Sequence, residues 1–447
     1  MAAVPDAMGL LEAAMKKARA LGASAADALL VERASLSVPY RLGRSEGVER
    51  AESTDLGLRV FVGKRQAIVS TTDLSKASLE TLAERAVAMA KTAPEDPFCG
   101  LAEPAALARD IRDLDLCDGF EPAVEDLLKK ARAAEGAALA VAGVTNSEGA
   151  EAGFRRSRVA LLATNGFSGA YTTTHFGLSV SVLAGSGTGM ERDYEFTSAR
   201  YAQDLEPPET VGRKAGERTV RRLRPKKLRS ATLPIVYEPR VAGSLLRHFA
   251  GAINGAAVAR GTSFLKDAMG TRVFAAGLRI VDDPYRRRGL ASRPFDGEGV
   301  AGARRALVED GVLASWLLDL RSACQLGLAT TGHASRGISS PPQPASTNLY
   351  LEPGSVSPEA LLGDIPQGFL VTELIGMGVN GVTGDYSRGA AGFWVERGEI
   401  AYPVSEVTIA GNLREMFRNA TPADDLVFRF GTDAPTLRID GMTVAGL

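Results

Sequence analysis

The stretch Pro239-Arg-Val-Ala-Gly-Ser-Leu-Leu-Arg-His-Phe-Ala-Gly-Ala-Ile-Asn-Gly-Ala-Ala-Val-Ala259 decides how the rest of this chain is interpreted. It follows the apolar run Leu233-Pro-Ile-Val236, so the sequence predicts a strand that leads into a long, mostly buried helix. Apolar side chains recur at helical spacing and form one stripe, at Val241, Leu245, Leu246, Phe249 and Ile253. Small residues narrow the helix, so that backbone or substrate can approach closely, at Gly243, Gly251, Ala252, Gly255 and Ala256.

A metal-dependent hydrolase would place its ligands on such a helix, because a rigid backbone fixes their spacing. Where ligands would be expected, this helix carries Arg247, His248 and Ala252. Arginine stays protonated and alanine has no donor atom, so neither residue can bind a metal ion. The sequence therefore predicts the framework of a ligand-bearing helix without its ligands.

Changes in hydrophobic period outside this stretch predict an α+β fold, with helices packed on antiparallel sheets and a strand-rich, glycine-rich C-terminal domain. Before residue 230 the predicted elements are helices over Pro5–Leu21 and Pro122–Ala142, an extended segment over Ala28–Leu42, and a hairpin joining Leu56–Val62 to Ala67–Val69. The dipeptide Asn165-Gly166 suits a tight turn between two further strands. This order of elements differs from the strand–helix alternation of a doubly wound parallel sheet.

The length of 447 residues allows several units, each with its own core. We predict an N-terminal α+β subdomain over 1–115, a second helix-plus-antiparallel-sheet subdomain over 116–230, and the C-terminal domain over 231–447. The last boundary lies at the basic run Arg221-Arg-Leu-Arg-Pro-Lys-Lys-Leu-Arg229. This run indicates either a contact with nucleic acid or an acidic partner, or a solvated helix end and linker. We favour the second interpretation, because no aromatic residues alternate with the charges for base stacking.

The composition is typical of a globular protein without a strong overall field. The formal net charge is -1, which does not favour nucleic acid, anionic membranes or acidic substrates. Three widely separated cysteines, Cys99, Cys117 and Cys324, form neither a disulfide framework nor a CxxC pair. The N-terminus lacks a signal-peptide pattern, and no uncharged apolar run reaches the roughly 18 residues of a membrane span. We expect a cytoplasmic protein without a membrane partner.

The chain has three histidines, His175, His248 and His333, and none forms a spaced pair. A zinc hydrolase needs about three protein ligands and an open position for water. The sequence does not favour a histidine-based metal site, although single histidines can converge in space. We expect His175 on one face of a strand and His333 in a mobile loop.

Four acidic residues lie in two turn-rich segments, at Asp282, Asp283, Asp296 and Glu298. Their oxygens suit a hard cation such as calcium or magnesium. They lack the repeating spacing of a calcium-binding loop, and Asp beside Pro or Gly is common in surface turns. We therefore expect ordinary turns at the surface.

The glycine-rich segment 376–392 is the remaining candidate for a binding element. It lacks the lysine of a phosphate-binding loop, and the chain has no Gly-x-Ser-x-Gly nucleophile turn. Its glycines leave room for a peptide backbone, but they equally suit tight turns between strands. The candidate contacts with substrate or another subunit are Gly378, Asn380, Gly381, Gly384, Asp385, Ser387 and Arg388.

Six short segments follow one another in a specific order and spacing. They are Ala242-Gly-Ser-Leu-Leu246, Arg260-Gly-Thr-Ser-Phe264, Asp282-Asp-Pro284, Ser292-Arg-Pro-Phe-Asp296, Gly378-Val-Asn-Gly-Val-Thr-Gly-Asp-Tyr-Ser-Arg-Gly389 and Glu399-Ile-Ala-Tyr-Pro-Val404. Each is weak alone, but together they make the chain resemble the TldD/PmbA family over nearly its whole length. The resemblance is strongest to the PmbA/TldE branch.

In that family the TldD branch is a zinc peptidase with a His-Glu-x-x-x-His helix and a later cysteine ligand, and it pairs with a PmbA/TldE subunit. The resemblance implies a complex that degrades or processes unfolded or flexible peptides, with roles in microcin maturation, antitoxin turnover and modulation of DNA gyrase. Matched onto this chain, the first histidine falls at Arg247, the glutamate at His248 and the second histidine at Ala252. No cysteine follows Cys324, so the late ligand is missing as well.

The resemblance and these departures favour a non-catalytic subunit of such a complex. It would contain no catalytic residue and no metal, zinc would be bound by a TldD-like partner in a heterodimer, and the isolated chain could form a homodimer. One alternative is an independent hydrolase with a different site, built on His248 or His333. Another is a regulatory binding protein that acts on a topoisomerase such as DNA gyrase.

Overall fold

A computed structural model describes residues 6–446 of the chain. Its α-helices are α1 (Ala7–Ala20), α2 (Lys76–Thr92), α3 (Val124–Leu139), α4 (Pro208–Arg221), α5 (Pro239–Ala252), α6 (Gly255–Ala259), α7 (Leu320–Leu326), α8 (Pro358–Gly363) and α9 (Leu413–Arg418). Its strands up to residue 237 are β1 (Ala25–Arg41), β2 (Arg44–Ser45), β3 (Glu49–Val62), β4 (Arg65–Thr71), β5 (Val144–Ala163), β6 (Ser168–Ala184), β7 (Glu191–Ala199) and β8 (Ala231–Tyr237). The later strands are β9 (Ile280–Asp282), β10 (Arg305–Glu309), β11 (Val312–Leu313), β12 (Ala334–Ser335), β13 (Gln343–Pro344), β14 (Leu349–Leu351), β15 (Gln367–Ile375), β16 (Asp385–Glu396), β17 (Glu399–Asn412), β18 (Ala420–Pro422), β19 (Thr432–Asp433) and β20 (Leu437–Ala445). The predicted α+β class is confirmed.

The first half of the chain builds one antiparallel sheet with the strand order β4-β3-β1-β5-β6-β7, and β2 pairs with the end of β1. Helices α1 and α2 pack on the part formed by β1, β3 and β4, where their alanines and leucines make one core. Helices α3 and α4 cover β5, β6 and β7 with a second core. Because β1 pairs with β5, strands from 1–115 and 116–230 share this sheet. The division into domains stays a prediction.

The local predictions for this half agree with the observed elements, with shifted ends. Helix α1 begins after Asp6, whose side chain accepts a hydrogen bond from the amide of Gly9. The predicted start at Pro5 lies outside the described residues. The hairpin around Asn165-Gly166 is present, with Gly166 at φ +95°, a conformation that glycine adopts without strain. Strands β5 and β6 are the two strands that this turn joins, and they pair along most of their length.

The second half of the chain is organised around a sheet with the order β17-β16-β15-β8-β20-β18. Strand β20 also pairs with β17, so five of these strands close into a ring. A smaller sheet has the order β11-β10-β9-β14-β19. The pairs β8–β15 and β14–β19 are parallel, so the strand-rich C-terminal part is mixed rather than wholly antiparallel.

The long helix predicted over Pro239–Ala259 is wrong in one respect, because the chain breaks between α5 and α6. The break lies at Asn254, whose side-chain oxygen accepts hydrogen bonds from the amides of Ala256 and Ala257 and so caps α6. The backbone at this point also pairs with Leu317, because the amide of Gly255 donates to the carbonyl of Leu317. That amide is then not available for the hydrogen bond that a continuous helix would make. The predicted strand before the helix is confirmed as β8, and α5 buries its apolar stripe in the largest core.

A buried ion network joins the first sheet to the C-terminal part. Asp27 on β1 pairs with Arg59 on β3 and, at 2.6 Å, with Arg336 next to β12. Arg59 also lies 3.8 Å from Glu298. These four side chains are almost fully excluded from solvent, so each charge depends on its partner inside the protein. In the described part of the chain, no helix is both long and apolar enough to cross a membrane.

Candidate functional site

The side chains that replace the expected ligands on α5 differ in their exposure to solvent. The helix buries residues 241–246 together with Phe249 and Ala252, while Arg247 is exposed and His248 is half-buried. At Gly243 the helix approaches another strand closely, since a Cβ atom there would lie 2.8 Å from the carbonyl oxygen of Thr432 on β19. The predicted close approach of backbone to this helix is confirmed at that position.

His248 sits in a mainly apolar and positively charged environment. Its ring packs edge-on against Tyr386 with 6.0 Å between centroids, and its Nε2 atom is buried without a hydrogen-bond partner among the described residues. Burial lowers the pKa of His248 to about 4, and the charges of Arg388 and Arg247 act in the same direction. The imidazole is therefore neutral at neutral pH.

Strand β16 supplies the groups that face α5. Side chains alternate along a strand, so Tyr386 and Arg388 project from the same face, and Asp385 and Ser387 project from the other. Tyr386 is buried against His248, while Arg388 is half-exposed and donates from Nε to the carbonyl of Ile375 at 3.4 Å. The structure thus brings together three predicted site residues, Arg247, His248 and Arg388.

The remaining candidate residues of the glycine-rich segment form a turn that pairs with its own strand. The amide of Ser387 donates to the carbonyl of Gly378 at 2.7 Å, and a Cβ on Gly378 would lie 1.9 Å from the carbonyl oxygen of Ser387. The side chain of Asn380 accepts from the amide of Val382, and Asp385 accepts from Thr383. Here the glycine provides close pairing within the chain, as expected for tight turns.

The end of this turn is fixed against the core. Gly381 accepts a hydrogen bond from the amide of Phe264, and Gly384 has φ +85° beside the ring of that residue. β16 begins at Asp385, within the glycine-rich segment. By contrast, Ile375, Met377 and Val382 are exposed, and Met377 is 90% accessible.

The other two histidines do not join this site. His175 lies on β6, as predicted, and burial lowers its pKa. The expectation of a mobile loop at His333 is wrong, because its ring is buried and lies 3.1 Å from Asp282 and 2.8 Å from the hydroxyl of Thr331. That hydroxyl also accepts from the amide of Leu318, so the arrangement fixes the backbone.

The acidic residues were expected at the surface, and this is wrong for Asp282, Asp296 and Glu298, which are buried. Asp296 accepts hydrogen bonds from three backbone amides, which replace the solvent that a surface turn would have. Glu298 accepts from the amide of Leu320 at 2.9 Å. Only Asp283 fits the expected turn, through the amide of Tyr285. Among residues 6–446, no group of three His, Cys, Asp or Glu side chains is placed to hold a metal ion.

Comparisons with known proteins identify the surrounding framework. Three family models match: the PmbA/TldA metallopeptidase domain 1 over 26–90, its central domain over 118–223 and its C-terminal domain over 230–446. The Escherichia coli O157:H7 metalloprotease PmbA is 39% identical over 442 residues, which cover 98% of this chain and 96% of that protein. The chain belongs to the PmbA/TldD family.

Solved structures of PmbA/TldD-like proteins share the fold. A crystal structure from Bacteroides thetaiotaomicron, described as a candidate modulator of DNA gyrase, is 28% identical, covers 98% of both chains and has a TM-score of 0.90. TldE from Thermococcus kodakarensis has a TM-score of 0.87 at 19% identity and covers 98% of this chain and all of that one, which shows the common fold.

Zinc is the metal that the PmbA/TldD resemblance implies, and the residues on α5 do not fit it. Arg247 and Ala252 have no atom that binds a metal ion. The two guanidinium groups of Arg247 and Arg388 are positively charged, and this charge repels a metal cation. His248 remains as a single neutral imidazole, whereas a zinc site needs about three protein ligands. No chemical step can be assigned to zinc at this helix.

The basic run before the C-terminal domain packs against this same chain. Arg222 is buried and pairs with Glu373 at 2.6 Å. Lys226 lies over the ring of Tyr402 at 4.0 Å, and Lys227 pairs with Glu406 at 2.9 Å. The predicted helix end and linker agree with α4 ending at Arg221 and with the exposed Arg224, Lys227 and Arg229, but Arg222 and Leu228 are buried rather than solvated. The pairs with Glu373 and Glu406 use two cations that would otherwise be available to neutralise the phosphates of a nucleic acid.

Tyr386 was not among the predicted site residues, although it contacts the His248 ring and lies on the face of β16 that carries Arg388. Its signal was the alternation in Asp385-Tyr386-Ser387-Arg388, which assigns Tyr386 and Arg388 to one side of a strand. The glycines on either side obscured that pattern. The segment 376–392 was therefore interpreted as a binding element or a set of turns, and the strand over 385–388 was not predicted.

Proposed function

We propose that this chain is the non-catalytic subunit of a TldD/TldE-type zinc metallopeptidase complex. In this role it completes the chamber that receives unfolded or flexible peptides and stabilises the active subunit. It binds no metal itself, and zinc belongs to a TldD-like partner. The peptide class, microcin precursors and antitoxins included, follows from the family resemblance, as does a cytoplasmic location.

The observation that carries this proposal is the charge on α5. A helix that holds zinc presents neutral imidazoles and a carboxylate, whereas this one presents the guanidinium of Arg247 beside that of Arg388. Partial desolvation of its side chain lowers the pKa of Arg247, and the charge of Arg388 adds to the effect, yet a guanidinium remains protonated at neutral pH. His248, with its pKa lowered to about 4, is neutral and stands where the general base would be.

The experiment compares peptide hydrolysis by this chain alone, by a TldD-like partner alone and by the mixture. We expect cleavage only in the mixture, and its loss after zinc chelation. As a control, a partner in which the glutamate of the zinc helix is replaced by glutamine should leave the mixture inactive. Zinc bound at one ion per isolated chain, together with cleavage that needs no partner, would refute the proposal.

An independent hydrolase remains the alternative to test on the same samples. His333 gives it little support, since both ring nitrogens contact Asp282 and Thr331 inside the protein. His248 is the better candidate, because its Nε2 atom has no hydrogen-bond partner among the described residues. If the isolated chain cleaves peptides and His248→Ala abolishes that activity, the alternative replaces the subunit proposal.

A further inference from the structure

The α5 face has a surplus of positive charge that the rest of the described chain does not balance. Within residues 6–446, neither Arg247 nor Arg388 forms an ion pair with a carboxylate. Three other arginines that are buried or half-buried, Arg59, Arg222 and Arg240, each pair with Asp or Glu. Two guanidinium groups held near each other without an anion repel, so an anion between them would be stabilising.

The placement of these groups is set by well-packed elements. Arg247 lies on α5 one residue before His248, whose ring contacts Tyr386 at 6.0 Å between centroids. Arg388 projects from β16 on the same face as Tyr386, and its Nε donates to the carbonyl of Ile375. The contact between His248 and Tyr386 therefore places Arg247 and Arg388 at the same junction of α5 and β16, where the charge of Arg388 also lowers the pKa of Arg247.

We propose that Arg247 and Arg388 form a subsite that binds a carboxylate group of a peptide, which rests on the peptide-handling role proposed above. A guanidinium donates two parallel hydrogen bonds to a carboxylate, and this geometry gives the pair both strength and orientation. The Nε2 atom of His248 is buried, so its ring contributes packing against Tyr386 rather than a contact with the ligand. A single peptide carboxylate thus meets two cations.

The surface beside the cations suits a peptide rather than a small inorganic anion. Ile375, Met377 and Val382 expose apolar side chains on the turn that leads into β16. Arg388 is tied to this turn through the carbonyl of Ile375. An apolar residue of the peptide, next to its carboxylate, would cover these side chains while the carboxylate contacts the guanidinium groups. The carboxylate can come from a peptide C-terminus or from a Glu or Asp side chain.

The test measures binding of labelled peptides to the isolated full-length chain by fluorescence anisotropy. Three peptides of one apolar sequence are compared: one with a free C-terminal carboxylate, one amidated with an internal Glu, and one amidated with Gln in its place. We expect the first or second peptide to bind at least about 10-fold more tightly than the third, as charge-assisted hydrogen bonds of this kind imply. The preferred peptide identifies the source of the carboxylate.

Arg247→Gln and Arg388→Gln should each weaken binding of the carboxylate peptide by about 10-fold or more and leave the amidated Gln peptide unchanged. Arg44→Gln is the control, because it removes the same charge from an exposed position on β2. Equal affinity for all three peptides, no binding at all, or an equal loss with Arg44→Gln would overturn the proposal. So would variants that weaken the complex with a TldD-like partner and leave peptide affinity unchanged.

A second measurement on the unmodified chain keeps the test valid if a variant misfolds. An arginine-specific dicarbonyl reagent should modify Arg247 and Arg388, and the carboxylate peptide should protect both while the amidated Gln peptide does not. Modification unaffected by the carboxylate peptide would overturn the proposal. Because neither measurement uses the partner or zinc, failure of this subsite is distinguishable from failure of the subunit role.

Discussion

Replacing Asp27 with Asn should weaken the contact between the first sheet and the C-terminal part. The effect should be larger than that of any substitution of an exposed residue. Asp27 is the shared partner of Arg59 and Arg336, and the three side chains are between 1% and 3% exposed. Asn keeps the shape of the side chain but removes its charge. The substitution would leave two buried guanidinium groups without their common carboxylate.

Removing one partner from a buried ion pair destabilises a protein by about 3–5 kcal/mol. One carboxylate here serves two cations, which favours the upper part of that range. Glu298 lies 3.8 Å from Arg59, but burial raises its pKa to about 8, so it is mostly protonated at neutral pH and compensates little. We therefore expect Asp27→Asn to lower the free energy of unfolding by about 3–5 kcal/mol at neutral pH.

Chemical denaturation should be followed by circular dichroism for the whole chain and by tryptophan fluorescence for the C-terminal part. Both tryptophans, Trp316 and Trp394, lie after residue 230, so the two signals report different regions. Glu52→Gln is the control, because its pair with Arg50 is exposed and should matter little. A midpoint for Asp27→Asn that equals the midpoint of this control would refute the reasoning.

The effect should also depend on pH. Burial alone would raise the pKa of Asp27, but Arg336 and Arg59 outweigh it and lower the pKa in the folded state. Stabilisation by the carboxylate is therefore present above its unfolded pKa and lost as the pH falls through the folded value. The difference between Asp27→Asn and the unmodified chain should shrink in acid.

Three further predictions concern single residues. Gly378→Ala would place a Cβ 1.9 Å from the carbonyl oxygen of Ser387, so limited proteolysis with mass spectrometry should find new cleavage within 376–384, and an unchanged pattern would contradict the close pairing. Asn254→Ala should cost about 1 kcal/mol in a denaturation titration, because α6 loses its cap. Burial raises the pKa of Glu298 from 4.5 to about 8, so stability should fall as the pH rises across that interval, and Glu298→Gln should remove the decline.

Sequence reasoning predicted elements whose signals are local. The alternation in β3 and the turn at Asn165-Gly166 depend on neighbouring residues, and both were identified. The break before α6 was missed, since it needs the backbone of Leu317 as well as the cap at Asn254. Small residues continue on both sides of Asn254, from Gly251 to Ala256, so the sequence pattern itself shows no break.

The burial of charged residues was the main failure of prediction from sequence. Asp296 looks like a surface turn beside glycine, but its solvation is replaced by amides that include that of Ala334. The site was predicted only in part for the same reason. Arg247 and Arg388 are far apart in sequence, and only the packing of α5 against β16 brings their charges together.

The closed ring of strands has a consequence for the order in which this protein is made. Strand β8 pairs with β20, and Tyr237 lies opposite Leu437, so synthesis must continue for about 200 residues before that pairing can form. Until then β8 has an unpaired edge, which is prone to misassembly with other chains. The α5 helix emerges immediately after β8, before the strands β14, β15 and β19 that it contacts have been made. Deleting β20 should therefore yield aggregated protein in cells, even though α5 and β16 would be intact in sequence.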